Sequence, residues 1–240
     1  MDSSDPVAAE LTQAIHAGDT GTLGRLLGEH PGLASEPIHD GRGSKTPLLV
    51  ATDWPGYFPG GPAVAKMLID AGADPDRTTG GEKPETPLHW AASSDDVDVA
   101  EVLINSGADI DMPGGSIGTP LDNAVGYGCW HVARLLVSSG ARVDKLWQAA
   151  ALGILPRIEE FLARPPAPDA DDITQAFWQA CHGGQRRAAE LLLGRGADIN
   201  ATTRHSDGTP LDVAAELGAR RENLITWLQG HDARTAEQAN

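Results

Sequence analysis

Apolar and small residues recur every three or four positions along most of the chain, the spacing of helices that bury one face. Leu11, Ala14 and Ile15 are followed by Leu23, Leu26 and Leu27, and Leu88, Ala91 and Ala92 by Val99, Leu103 and Ile104. The pattern predicts short helices in pairs. No run approaches the length of apolar sequence that spans a bilayer.

Two landmarks punctuate the pairs. Thr-Pro-Leu begins at Thr46, Thr86, Thr119 and Thr209. A Gly-Ala doublet closes units at Gly72, Gly107, Gly140 and Gly196, and Asp follows it in three of the four. Thr86 to Thr119 and Gly107 to Gly140 are both 33 residues, and Thr86 to Gly107 and Thr119 to Gly140 are both 21. Two independent landmarks thus share one period, the mark of a repeat array. The chemistry suits the positions. Threonine caps a helix start, and proline fits the first turn, where its missing N–H is not needed. Gly107 offers the left-handed conformation that ends the second helix.

The stretch from Thr86 to Ala92, followed by Val99 to Asp109, closely resembles the ankyrin repeat. The resemblance implies an all-α solenoid of stacked helix-turn-helix units with β-hairpin tips, irregular in the middle. It also implies a concave binding face made by the tips and first helices. One domain over 1–240 is expected, with units near 7–37, 42–75, 82–110, 115–144, 145–164, 172–200 and 205–231, and a flexible tail at 232–240.

The units are not uniform. The first lacks Thr-Pro-Leu and reads as a cap. In the second, Thr46 to Gly72 is 26 residues rather than 21, so five extra residues lie between its helices, within 53–62. That segment is too rich in Pro and Gly to be helical. It carries Asp53, Trp54, Tyr57 and Phe58, and is either a functional loop or a cover for the cap. Units five and six have lost the motif, and 165–172 is a stiff, acidic connector. A notch in the row of tips is expected near Asp144.

Charge narrows the partner. The formal net charge is −16 and the pI about 4.7. Nucleic acid and anionic membrane surfaces need a basic face, so neither is expected. The charge fits a basic protein or peptide, or simply solubility. The acidic N-terminus has no apolar run of a signal peptide, and Cys129 and Cys181 lack metal-type spacing, so a reduced, cytoplasmic protein is expected.

Aligning the units places candidates on the concave face. Trp90, Asn123, Gln148 and Gln179 share one position, and Ser94, Tyr127 and His182 lie just beyond, as do Asp53 and Trp54 in unit two. Aromatics offer area with few rotors, and amides offer adaptable hydrogen bonds. Trp147 and Trp178 align with the residue after leucine and read as core or site. His89 takes the motif position that in this family hydrogen-bonds the hairpin, and Asp122 and Asp212 can do the same. His131 and His205 fall in predicted loops. The expected function is a non-enzymatic module binding a protein or peptide. The alternative is a small-molecule or catalytic pocket using Asp53, His89, Asp122 and His182. No cofactor or metal is implied, because no Zn-binding, phosphate-loop or nucleophile-elbow pattern occurs.

Overall fold

The computed structural model describes residues 1–41, 43–203, 206–216 and 221–239. The chain divides into two compact units, Met1–Arg142 and Val143–Asn240. Their junction falls where the sequence loses Thr-Pro-Leu and the room for a hairpin.

In the first unit the helices are α1 (Pro6–Ala17), α2 (Thr20–Glu29), α3 (Pro47–Ala51), α4 (Gly61–Asp70), α5 (Pro87–Ser93), α6 (Val97–Asn105), α7 (Pro120–Gly126) and α8 (Trp130–Ser138). Each odd-numbered helix packs on the even one after it. The odd helices also pack on one another in sequence, and so do the even helices, giving two layers. A hairpin of β1 (Ile38–Asp40) and β2 (Gly43–Lys45) pairs Ile38 with Lys45, and an isolated bridge joins Gly114 and Gly118. The second unit repeats the plan with α9 (Leu146–Leu152), α10 (Leu155–Ala163), α11 (Ala170–His182), α12 (Arg186–Leu193), α13 (Pro210–Ala215) and α14 (Glu222–Gln229), followed by α15 (Ala236–Ala239). This is the all-α ankyrin-type architecture.

The core lies between the layers. Leu48, Leu88 and Leu121 of the motif are fully buried, as are Val64, Leu103 and Leu136 of the second helices. Burying each such side chain contributes about 1.5–3 kcal/mol. Alanines at 91, 92, 124, 149, 150 and 180 are likewise buried and let neighbouring helices approach closely. Both cysteines are free and buried, and burial raises their thiol pKa values, Cys129 to about 11.

Five of the first helices start in three chemical ways. Thr86 caps α5 and His89 returns the bond, its Nδ1 accepting from the Thr86 amide at 3.1 Å. Thr119 with Asp122 and Thr209 with Asp212 form the same reciprocal box, the threonine amide donating to the carboxylate at 2.7 and 2.8 Å. In α9, which has no threonine, the Gln148 Oε1 accepts from the amides of both Asp144 and Lys145 at 3.0 Å. In α11, Asp169 and Asp172 pair instead.

Three expectations change at this level. Gly61 and Pro62 are not loop but the first turn of α4, where proline is tolerated. His131 is not in a loop either. It lies in the first turn of α8, where Asp95 of the preceding repeat accepts from the His131 and Val132 amides at 3.0 and 2.9 Å. Asp95 thereby caps a helix whose own N-cap, Cys129, supplies no side-chain capping bond. The segment read as tail is tied in: the Arg234 amide donates to Asn200 at 2.7 Å and the Ala236 amide to Asp212 at 2.9 Å. His205 lies outside the described residues.

Candidate interaction surface

The insertion of unit two is pinned on both sides. Phe58 stacks on His16 with ring centroids 4.5 Å apart. Gly18 sits so close beneath that an added Cβ would lie 1.9 Å from the Pro59 carbonyl oxygen, and its φ of +67° already favours glycine. Toward unit three, the Tyr57 amide donates to the Asp96 carboxylate at 2.8 Å, and the Tyr57 hydroxyl donates to the Asp95 carbonyl. Burial, then the Asp95 and Asp96 charges, raise the Tyr57 phenol pKa. Gly56 is buried at φ +74°, where a Cβ would meet the Ser94 side chain at 2.7 Å. The loop therefore spans from the first repeat to the third, and does so with Tyr57 itself at φ +53°.

What the loop leaves outside is aromatic. Among the described residues, the exposed large apolar side chains are Trp54 at 83 %, Tyr57 at 59 % and Tyr127 at 59 %. All three follow the ends of first helices: α3 in the case of Trp54 and Tyr57, α7 in that of Tyr127.

Behind them a polar chain runs across α3, α5 and α7. Lys45 pairs with Asp53 at 2.5 Å and lies 5.1 Å from the centroid of the Trp90 ring. The Trp90 indole N–H donates to one Glu85 oxygen at 2.9 Å, and the Asn123 amide donates to the other at 3.0 Å. The same Asn123 nitrogen reaches the Ser93 hydroxyl oxygen at 3.1 Å, and Ser93 in turn donates to the His89 carbonyl. Because a carboxylate only accepts, Glu85 fixes which way the Asn123 amide points. The Asn123 oxygen is buried with no partner among the described residues. Ser94 is half-buried and donates to the Trp90 carbonyl at 2.9 Å. Lys45 and Glu85 escaped the sequence reading, although each immediately precedes a motif threonine, which was the available signal.

The remaining candidates have internal partners. His89 is buried. Since its Nδ1 accepts, its Nε2 carries the proton and donates to the Gly118 carbonyl at 3.0 Å, and burial lowers its pKa. Trp178 occupies the equivalent place in the second unit and makes the equivalent bond, its indole N–H donating to the Gly208 carbonyl at 2.9 Å. Both carbonyls precede the threonine of the next repeat, so tryptophan here replaces the hairpin histidine and belongs to the core. Trp147 is half-buried. Gln148 is buried in its capping role. Gln179 and His182 lie 3.4 Å apart, with His182 tilted on Trp178 at 5.2 Å. Burial and the nearby Arg221 charge push the His182 pKa down to about 4, so the ring is neutral at pH 7.

Each of the four residues of the catalytic alternative already has a structural partner. Asp53 binds Lys45, His89 and Asp122 start different helices, and His182 packs on Trp178. None of them lines the clefts at Asp169–Thr203, Asp144–Gln175 or Met1–Glu36. No group of three or more His, Cys, Asp or Glu side chains is placed to share a metal ion among those residues, and no helix is long and apolar enough to cross a membrane.

Pairs of helices stacked in two layers, four of them started by Thr-Pro-Leu, have the architecture of ankyrin repeats. Family models agree: ankyrin repeats in three copies match residues 57–145, and a single ankyrin repeat matches 176–204. The chain carries ankyrin repeats. It is 29 % identical over 164 residues, 65 % of its length, to the ankyrin repeat and KH domain-containing protein mask-1 of Caenorhabditis elegans. It is 28 % identical over 150 residues, 59 % of its length, to an ankyrin repeat and KH domain-containing protein of Caenorhabditis briggsae. The match spans only 6 % of each of those proteins.

Proposed function

We propose that this chain is a non-enzymatic binding module that recognises a protein or peptide partner through the first-helix side of residues 1–142. Trp54, Tyr57 and Tyr127 supply the aromatic contacts, and Trp90, Ser94 and Asn123 supply the polar floor. The observation that carries this reading is the concentration of exposed aromatic area at the ends of first helices. Regular stacking does not require it, and aromatic side chains dominate binding energies at protein interfaces. Ankyrin repeats generally serve as protein-interaction modules, which supports the class of function. Residues 1–142 hold 20 acidic and 8 basic residues, so the partner is basic at its contact face.

The test is affinity capture from a native lysate with the wild-type chain and with Trp54→Ala/Tyr127→Ala. Both side chains are exposed, so the fold is retained, which circular dichroism checks. A partner recovered by the wild type and reduced about tenfold or more by the double variant supports the reading. Equal recovery by both proteins, or no partner above background with the wild type, contradicts it.

A further inference from the structure

The polar chain behind the aromatic face has one carboxylate at its centre. Glu85 immediately precedes the cap of α5, and Thr79 pins its backbone in both directions. The Glu85 amide donates to the Thr79 hydroxyl at 3.0 Å, and its carbonyl accepts from the Thr79 amide at 2.9 Å. The side chain is half-buried and lies against the backbone of the next repeat, where a Cβ added to Gly115 would be 2.4 Å from a carboxylate oxygen. Trp90 and Asn123 each hold one of its oxygens. Both are neutral donors, so they orient the carboxylate without cancelling its charge, and each oxygen keeps a further lone pair. Lys45, the cation beside Trp90, is committed to Asp53 at 2.5 Å.

Asn123 adds a second unmet need. Its side chain is buried, and its Oδ1 sits on the same carbon as the nitrogen bound to Glu85. That oxygen accepts from nothing among the described residues. A buried acceptor without a donor is costly, and a ligand that supplies the N–H recovers the cost.

We infer that Glu85 and Asn123 form the anchor site for an arginine side chain of the partner. Glu85 lacks a countercharge and Asn123 lacks a donor. A guanidinium brings one charge and five N–H groups in a fixed fork, so it meets both needs at adjacent oxygens. An ammonium is a compact, strongly hydrated point charge and fits a paired acceptor less well. Thr79, Gly115, Trp90 and Asn123 already hold the carboxylate, so little ordering is left for the binding step. Asn123 Oδ1 is covered in the free chain. Its carboxamide is tethered to Glu85 and moves with that carboxylate as the guanidinium settles. The inference rests on the reading that this face docks a basic partner, and it names the residue that the partner brings.

The Trp90 indole N–H, which donates to Glu85, is a built-in reporter. It is one of six such signals in the proton–nitrogen spectrum of the full chain and is assigned by its loss in Trp90→Phe. Titration with N-acetylarginine methylamide is expected to shift it saturably. The citrulline counterpart, which has the same shape without the charge, gives no saturable shift, and the lysine counterpart binds at least about threefold more weakly. Glu85→Gln, with its melting curve as the check on folding, weakens arginine binding about tenfold or more, and Asn123→Ala weakens it about threefold. Glu101→Gln, which removes an exposed charge from α6, changes it less than about twofold. Absence of a saturable shift overturns the inference, as does equal binding of citrulline or lysine; these comparisons need no variant. Equal weakening by Glu85→Gln and Glu101→Gln also overturns it, because the attraction would then come from net charge. The titration uses no partner, so its failure leaves capture through Trp54 and Tyr127 standing, and failed capture leaves the arginine shift unchanged.

Discussion

The two units build the same pairs of helices but use their aromatic residues in opposite ways. In residues 1–142, where the motif recurs three times, Trp54, Tyr57 and Tyr127 project from the ends of first helices. In residues 143–240, Phe177 is fully buried and Trp178 nearly so, while Trp147 and Phe161 line a cleft. Charge follows the same division, with 20 acidic against 8 basic residues in the first unit and 14 against 10 in the second. Regular stacking satisfies its own core, so the Trp54 and Tyr57 of the insertion and the Tyr127 after α7 are left to face outward. Where the threonine, proline or hairpin is missing, tryptophan and glutamine fill structural positions and the connector leaves open space.

Stability measurements break that comparison most sharply. Phe177→Ala empties a fully buried site and is expected to cost about 3–5 kcal/mol in urea unfolding. Trp54→Ala, at a position 83 % exposed, is expected to stay within about 0.5 kcal/mol. A loss above 1 kcal/mol for Trp54→Ala would place that side chain with the core instead.

Next in size is Gly18→Ala. It strains a positive φ and drives a methyl against the Pro59 carbonyl, at an expected cost of at least about 1–3 kcal/mol. A neutral outcome would show that the insertion is not held against the first repeat.

The hairpin bond gives a smaller and more chemical test. His89→Ala removes both the capping partner and the donor to Gly118, an expected loss of about 2 kcal/mol. His89→Asp restores the cap, as Asp122 and Asp212 do at the same place, and is expected to recover about half of that loss. If His89→Asp is no better than alanine, the reciprocal box is not what the position supplies.

The pH dependence is the smallest effect. His182 has a native pKa near 4 against an ordinary value of 6.5, chiefly through burial. The unfolded chain therefore binds its proton first, and stability falls as pH drops from about 6.5 toward 4. Thermal melts of the wild type should lose ground to His182→Gln across that window and run parallel to it above pH 7. Parallel curves throughout would show that the imidazole is solvated in the native state.

Much of this was legible in the sequence, because it rests on periodic residues. Thr-Pro-Leu and Gly-Ala mark helix starts and stops by local capping chemistry, so the pairs could be read without tertiary information. Trp178 was ambiguous because its role depends on a carbonyl 30 residues away, at Gly208. Gln148 looked like a groove amide, since the lost threonine was visible but nothing local reveals that α9 recruits this side chain in its place. The reach of the 53–62 loop toward Gly18 and Asp95 is likewise non-local. So is the Glu85 bridge between Trp90 and Asn123, which joins two repeats.

The central claim is that the aromatic face of residues 1–142 is where a partner docks. Site-specific photocrosslinking tests it most directly, with p-benzoylphenylalanine placed at Trp54, at Tyr127 and, for contrast, at the exposed Arg187 of the second unit. The same crosslinked protein should appear from positions 54 and 127, vanish with excess unlabelled wild type, and be absent from position 187. Equal crosslinking from all three positions, or none from 54 and 127, would contradict the account.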